Sequence, residues 1–549
     1  MGSPAGHRPV SRGRQAPSVT NDPSRRTLLR AALLIPAGAA LGGAALSACG
    51  SAAGPSTTTS GPALLRARPQ LTHGVATGDV RTDGALVWAR SDTPATMLVE
   101  TSATPDFARP ALVRGPLMTP AGDGTGRVRL RGLEPGQQVH YRVTLEGEDG
   151  TRGEPVTGVF TTAPTQPRDV RFLWSGDVAG QGWGINPALG GMTVWKAMAD
   201  RRPDFFIHSG DAIYADNPID ETQRQNNGTI YRNVTAPAKT HVAQTLDDFR
   251  GNYQYNLTDA NYRLFNASVA QFVQWDDHET LNNWYPGENT ATQKRKGYTD
   301  FDVDALTGMA YQAWREWQPV DPGEAADGRV YRKISYGPLL DVFLLDMRSY
   351  KNPNPDAWSA RGGTVLGPEQ TQWLINSLRA STATWKVVAN DLPLGIVVPD
   401  ALSDPPAGPK SMEAVAQGDN GAPLGREAEI ATILSATKNV PNIVYLTADV
   451  HYTAAISYHP DRAAFTDFTP FHEFVSGPLH AGAFPVSPVD GTFGAVYDFV
   501  HAPTEANTSP AEGFQHFGEV NIDKDSRVLT VDLRDSTGAS LWSTQLRPA

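Results

Sequence analysis

The sequence predicts an all-β sandwich followed by a layered α/β core, and two patterns carry that reading. From about Gln70 to Pro164, short apolar runs alternate with period two and are punctuated by Gly, Pro and Asp clusters. Beyond Arg168, β-branched and aromatic runs alternate with amphipathic stretches to the end of the chain. The 549 residues leave room for one large core and one smaller module. Hydrophobic residues at 40% and charged residues at 19% exclude wholesale disorder and a multi-span membrane protein. A single cysteine excludes an intrachain disulfide and a Cys-rich zinc site, so any metal must rest on oxygen and imidazole.

Residues 1–30 hold six arginines, no lysine and one acid, Asp22, ahead of an apolar run from Ala31 to Leu46. That is a signal sequence rather than a domain. The run is short for a bilayer span and is interrupted by Pro36, Gly38, Gly42 and Gly43. Ser24-Arg25-Arg26-Thr27-Leu28-Leu29 resembles the twin-arginine export motif, and Leu46-Ser47-Ala48-Cys49 resembles a lipoprotein cleavage box. The expectation is a signal peptide over 1–48, export of the folded chain by the twin-arginine translocase, and acylation of Cys49. The protein would then sit at the outer face of the cytoplasmic membrane, touching it through the lipid anchor alone. Losing six arginines and one aspartate moves the formal net charge from −11 to −16, which argues against a nucleic-acid partner.

Residues 49–69 are rich in Ser, Thr, Gly, Pro and Ala, the composition of a flexible tether. Within 70–164, the runs Ala85–Arg90, Met97–Thr101, Arg127–Leu130 and Val139–Leu145 read as strands. Gly132-Leu133-Glu134-Pro135-Gly136, leading into Val139-His140-Tyr141, resembles the turn and tyrosine corner of fibronectin type III domains.

In the remaining residues, 165–549, the informative feature is where the apolar runs stop. Val170–Gly176 runs into Asp177, Asp204–Gly210 into Asp211, and Ala270–Trp275 into Asp276-Asp277-His278-Glu279. Trp385–Ala389 runs into Asn390, and Asn442–Ala448 into Asp449-Val450-His451. A lone strand followed by Asp is usually a cap or a turn. Five such ends could converge on one cleft, because open α/β sheets bind ligands at the carboxyl ends of their strands. The donors are hard, suiting calcium, magnesium, manganese or ferric iron.

Gly210-Asp211-Ala212-Ile213-Tyr214, Trp275-Asp276-Asp277-His278-Glu279 and Ala448-Asp449-Val450-His451-Tyr452 resemble the signature blocks of PhoD-type alkaline phosphatases, members of the calcineurin-like metallophosphoesterases. The similarity extends to His73-Gly74-Val75-Ala76-Thr77-Gly78-Asp79, Thr245–Arg250, Leu345–Tyr350 and Leu366–Gln370. It implies a fibronectin III-like sandwich ahead of a four-layer α/β/β/α core that holds a dinuclear centre. By the same resemblance Asp177, Asp211, Tyr214 and His451 would hold ferric iron. A second ion, calcium or another divalent metal, would take Asp211, Asp277, Asn390 and Asp449. Relatives commonly carry Ser-Cys-Gln at the end of the first core strand, where this chain has Ser175-Gly176-Asp177 and then Gly180-Gln181-Gly182.

Two cations a few ångströms apart lower the pKa of a bridging water and neutralise phosphate oxygens, so the activity implied is hydrolysis of phosphate mono- or diesters by a metal-bound hydroxide. His278 is the candidate for stabilising the transition state or protonating the leaving group, with a structural imidazole as the alternative. Arg348 either clamps the phosphate or salt-bridges Asp346. Glu279, Asn282 and Asn283 read as partners of the ligands or, more simply, as helix-initiating residues. Two other functions stay open: a lipoprotein that captures metal or phosphate without chemistry, which would not need His278, and a monoesterase like the purple acid phosphatases, against which Asn390 and Asp449 weigh.

Overall fold

The computed structural model describes residues 68–299, 301–321, 323, 329–358, 362–400 and 411–549. The signal peptide, Cys49 and the tether up to residue 67 lie outside them. Successive side chains point to opposite faces of a strand, so a strand covered on both faces needs an apolar residue at nearly every position. Phe205–His208 and Ala270–Val273 meet that requirement, and Val170–Ser175 does so apart from the exposed Arg171 near its start and the buried, polar Ser175 at its end. They are parallel neighbours inside a nine-stranded sheet. Leu340–Leu344, Trp385–Ala389 and Ile443–Thr447 do the same in a seven-stranded sheet.

One register of each strand forms the layer between the sheets, where Phe172, Trp174, Phe205 and Ile207 pack with Val342, Leu344, Val387 and Val444. The other register meets helices. Phe206 contacts Trp195 and Phe265 from helices Val194–Asp200 and Ala260–Ser268. Phe343, Val388 and Tyr445 pack with Leu374, Leu378, Ile430 and Leu434 from helices Gly367–Ala380 and Arg426–Thr437. The layers therefore run helix, sheet, sheet, helix.

The β-rich N-terminal part is less independent than its sequence pattern suggests. Ala95–Ser102, Ala111–Met118, Gln138–Glu146 and Val156–Thr161 make a separate four-stranded sheet. The facing strands, Leu71–Arg81, Gly84–Ser91 and Thr125–Arg129, instead complete one end of the nine-stranded sheet, with Gly78 opposite Gln271 in a parallel pairing. A Cβ at residue 78 would stand 2.1 Å from the Pro319 carbonyl oxygen, so that close approach requires glycine. Tyr141 does not close a tyrosine corner within its own sandwich; its hydroxyl donates to Ala267 O at 3.4 Å, docking the sandwich on the core. The buried Arg332–Asp79 pair, at 2.8 Å, adds a second tie. Strand periodicity reports which residues form strands and is silent on which edge joins which sheet.

Candidate metal centre

Four of the residues that end the core strands turn the chain through the left-handed region. Asp177, Asp211, Asp449 and His451 have φ of 63°, 52°, 67° and 60°. Asp and His are among the few non-glycine residues that tolerate this conformation, and it gathers at functional sites. Gly210, at φ 103°, lets two of the turns touch: a Cβ there would lie 2.4 Å from that of Asp276.

The turns bring two acid–imidazole groups together. Asp177, Asp211 and His451 each offer a ligand atom within 4.8 Å of the others, as do Asp211, Asp277 and His278, and all five residues are buried. Asp211 belongs to both groups, as a bridging carboxylate must. Both oxygens of Asp177 and both carboxamide atoms of Asn390 are buried without a hydrogen-bond partner among the described residues. Buried polar atoms are rarely left so, and cations would satisfy these; the donors fit a pair of hard metal ions. The Tyr214 hydroxyl is 2.8 Å from His451 Nε2. His451 Nδ1–H donates to Gly482 O at 2.5 Å, which leaves the lone pair on Nε2. Burial lowers His451 to about 4, so the ring is neutral.

Burial first, then the charge of Asp449, pushes Asp177 well above the usual carboxylate range; burial and Asp277 do the same to Asp211. Burial raises Asp449 to about 6. Asp277 goes the other way, because Arg348 and His278 outweigh its burial. The metal-free cluster therefore keeps its protons to higher pH than free carboxylates do, and as pH falls a cation must displace more of them. Cation affinity is expected to fall roughly tenfold per pH unit for each proton displaced between pH 7 and 5. Calorimetric titration of Mn2+ in buffers of different ionisation heat checks this; a pH-independent affinity without proton release contradicts it.

The residues around the cluster hold it in shape. Glu279 starts no helix: its carboxylate accepts the backbone N–H groups of Asp211, Ala212 and Asp276 at 3.1, 2.7 and 2.8 Å, clasping two ligand turns. Asn283 N–H donates to Asp277 Oδ2 at 2.5 Å and Asn282 N–H to Asp216 Oδ2 at 2.9 Å, so these asparagines also act as partners of the site. Asp216, which sequence reasoning missed, accepts from His278 Nδ1 at 2.6 Å. Its signal was its position in the turn that already carries Asp211 and Tyr214. Behind that turn, Lys239 Nζ donates to Tyr214 O at 2.7 Å and to Asn252 Oδ1 at 2.8 Å, and Asn256 Nδ2 donates to Ala212 O at 2.8 Å. Both asparagines lie on the helix Leu246–Asn256, started by a capping box between Thr245 and Asp248.

Arg348 departs from both sequence readings. Its guanidinium is wholly buried, bonded to the carboxylates of Asp276 and Glu413 and to Asp449 Oδ1 at 3.0 Å, and it lies 3.8 Å from Asp277 Oδ2. From Arg348, Asp346 accepts the backbone N–H, at 3.2 Å, and not the guanidinium; its other donors are Trp275 Nε1–H and the Ser349 N–H. Held by so many acids, the guanidinium orients Asp449 and Asp277 and is not free to clamp a phosphate. Gly180 lies against the face of Tyr214, where a Cβ would stand 2.1 Å from the ring. No side chain fits at that position, and at Gly176, where relatives carry cysteine, this chain offers no thiolate to the centre.

The family model for the PhoD-like phosphatase matches residues 172–533, and that for the N-terminal domain of PhoD-like phosphatases matches 56–164. Alkaline phosphatase D of Bacillus subtilis (strain 168) is 29% identical over 416 residues, a stretch covering 71% of this chain and 66% of that protein's length, just under two thirds. Among solved structures, one of PhoD matches with a TM-score of 0.64 at 21% identity, covering 87% of this chain and 89% of the other. A purple acid phosphatase from yellow lupin (Lupinus luteus) seeds matches with a TM-score of 0.53 at 13% identity, covering 87% and 74%. These two likenesses show the shared fold. The match over 172–533 takes in well over half of the chain and every strand end described above, and on that basis this protein belongs to the PhoD-like phosphatase family.

Proposed function

We propose that this protein is an exported metal-dependent phosphoesterase that hydrolyses phosphate mono- or diesters at a dinuclear centre. The observation that carries the reading is the sharing of Asp211 between two buried acid–imidazole groups, in the second of which Asp211 and Asp277 would be ligands and His278 the proton donor beside the ion. Asp177, Asp211, Tyr214 and His451 would hold the first ion, and the phenol favours Fe(III). Asp211, Asp277, Asn390 and Asp449 form an all-oxygen set that suits Ca(II). Bound there, the two cations would supply an activated water and neutralise the phosphate oxygens.

The chain's own part is to hold and deliver a proton at His278. Burial works to strip that proton, but Asp216 and Asp277 outweigh it and raise the imidazole to about 9. The ring is fixed by its Nδ1–H bond to Asp216 and by stacking on Tyr214 at 4.1 Å. Its Nε2–H is then the proton available to a departing alkoxide. Turnover of bis-p-nitrophenyl phosphate and p-nitrophenyl phosphate by metal-loaded protein is the test; hydrolysis of neither, with both metals bound, overturns the reading.

The Tyr214 assignment has a spectroscopic consequence. Iron-loaded protein should show a visible phenolate-to-iron charge-transfer band that Tyr214→Phe abolishes, and a colourless iron-loaded native protein contradicts the assignment. Export and anchoring belong to the same reading, with 1–48 as signal, 49–69 as tether, 70–164 as the β domain and 165–549 as the catalytic domain. Cys49→Ala should remain unprocessed or lose its acyl group, as mass spectrometry of the membrane fraction would report. A variant released at the native mature mass contradicts lipidation.

A further inference from the structure

A cavity of about 400 Å3 opens beside the centre, lined by Gln181, Gly182, Asn217, Pro218, Phe484 and Asn507. Its walls are continuations of the ligand turns. Gln181 follows Gly180, which packs on the Tyr214 ring; Asn217 N–H donates to Tyr214 O at 3.4 Å. Phe484 N–H donates to His451 O at 3.2 Å, and its ring meets the His451 ring edge to face, with centroids 5.4 Å apart. A phosphate held at the centre would therefore have its substituent at the mouth of this cavity.

The lining chemistry is selective. None of the six side chains is ionisable, so a charged substituent of either sign would lose water without gaining a counter-charge. One wall is an aromatic ring, and the polar lining is carboxamide. Asn507 spends its oxygen on Trp183 Nε1–H at 2.7 Å and its NH2 on Gln181 O at 3.1 Å, which fixes the loop. Asn217 Oδ1 accepts Gln181 N–H at 3.0 Å, which leaves its NH2 as a donor. Gln181 Oε1 is buried with no partner among the described residues. The polar group free to meet a ligand is thus a neutral donor, the Asn217 NH2, beside a ring face, in a cavity within the size range of small-molecule sites.

We propose that this cavity is the subsite for the alcohol portion of the substrate and selects neutral, ring-bearing alcohols, with the ring on Phe484 and an oxygen accepting from the Asn217 NH2. The inference rests on the phosphoesterase reading above and narrows its substrate class. Binding of non-hydrolysable phosphonates to the metal-loaded full chain tests it by calorimetry. Phenylphosphonate and cyclohexylphosphonate are expected to bind roughly tenfold tighter than methylphosphonate, and 2-carboxyethylphosphonate no tighter than methylphosphonate. Whichever ring binds tighter separates aryl alcohols from saturated, sugar-like ones. Phe484→Ala should bring the ring-to-methyl ratio to about one, and Asn217→Lys should turn the preference toward the carboxyethyl ligand.

A ratio near one in the native protein, a ratio retained in Phe484→Ala, or an unchanged preference in Asn217→Lys overturns the subsite. Ring preference without turnover of either p-nitrophenyl phosphate or bis-p-nitrophenyl phosphate supports the subsite while rejecting the phosphoesterase reading. Turnover without ring preference does the reverse.

Discussion

Asp211→Asn should cost both metals and, with them, on the order of 10³-fold or more in kcat/KM. The residue is the one shared by the two groups of candidate ligands, so a carboxamide there weakens both sites at once. The substitution keeps the side-chain shape, and the clasp of Glu279 on the backbone N–H of residue 211 needs no carboxylate at 211. A folded, metal-poor protein is therefore the expected product. Asp177→Asn, which belongs to one group only, should lose one metal and retain the other. Metal content by elemental analysis, beside kcat/KM for p-nitrophenyl phosphate, separates these outcomes. An Asp211→Asn protein that keeps two tightly bound metals contradicts the bridging role.

Replacing His278 with Asn should lower kcat by about 10²–10⁴-fold on a substrate with a poor leaving group such as phenyl phosphate. The loss should shrink sharply with p-nitrophenolate, which departs without needing a proton. Asp216→Asn should cost a smaller ~10–100-fold and leave a distinct mark on the pH profile. Asp216 favours the imidazolium, so its loss lets the proton leave at lower pH, and the alkaline limb of activity should shift downward relative to the native enzyme. Bound cations would depress His278 in both proteins, so the comparison between them keeps its sign. An equal loss on both leaving groups, or an unmoved alkaline limb in Asp216→Asn, would make His278 structural.

The strand ends were legible because parallel strands buried on both faces are nearly all apolar, so the polar residue that ends each one stands out. Asp177, Asp211, Asp277, Asn390, Asp449 and His451 were found in that way; the pattern of the runs gave a layered α/β core, and the two-sheet arrangement came only with the resemblance to PhoD-type phosphatases. The supporting contacts were not legible. Glu279 acts on three amides that are distant in sequence or hidden in a turn, and Arg348 answers to acids 65 to 101 residues away. Nothing in the local sequence around either residue reports partners so remote. The β module was legible as a β-rich N-terminal domain and its strands read correctly one by one, but the edge joining Leu71–Arg81 to the core sheet was not, because it depends on a single pairing at Gly78.

The most direct test of the dinuclear centre is anomalous diffraction from crystals of the metal-loaded protein. Two peaks should lie on either side of the Asp211 carboxylate, one near Asp177, Tyr214 and His451 and the other near Asp277, Asn390 and Asp449. A single ion, or ions that share no carboxylate and lie elsewhere, for instance among Asp419, Glu427 and Asp490, would contradict the account.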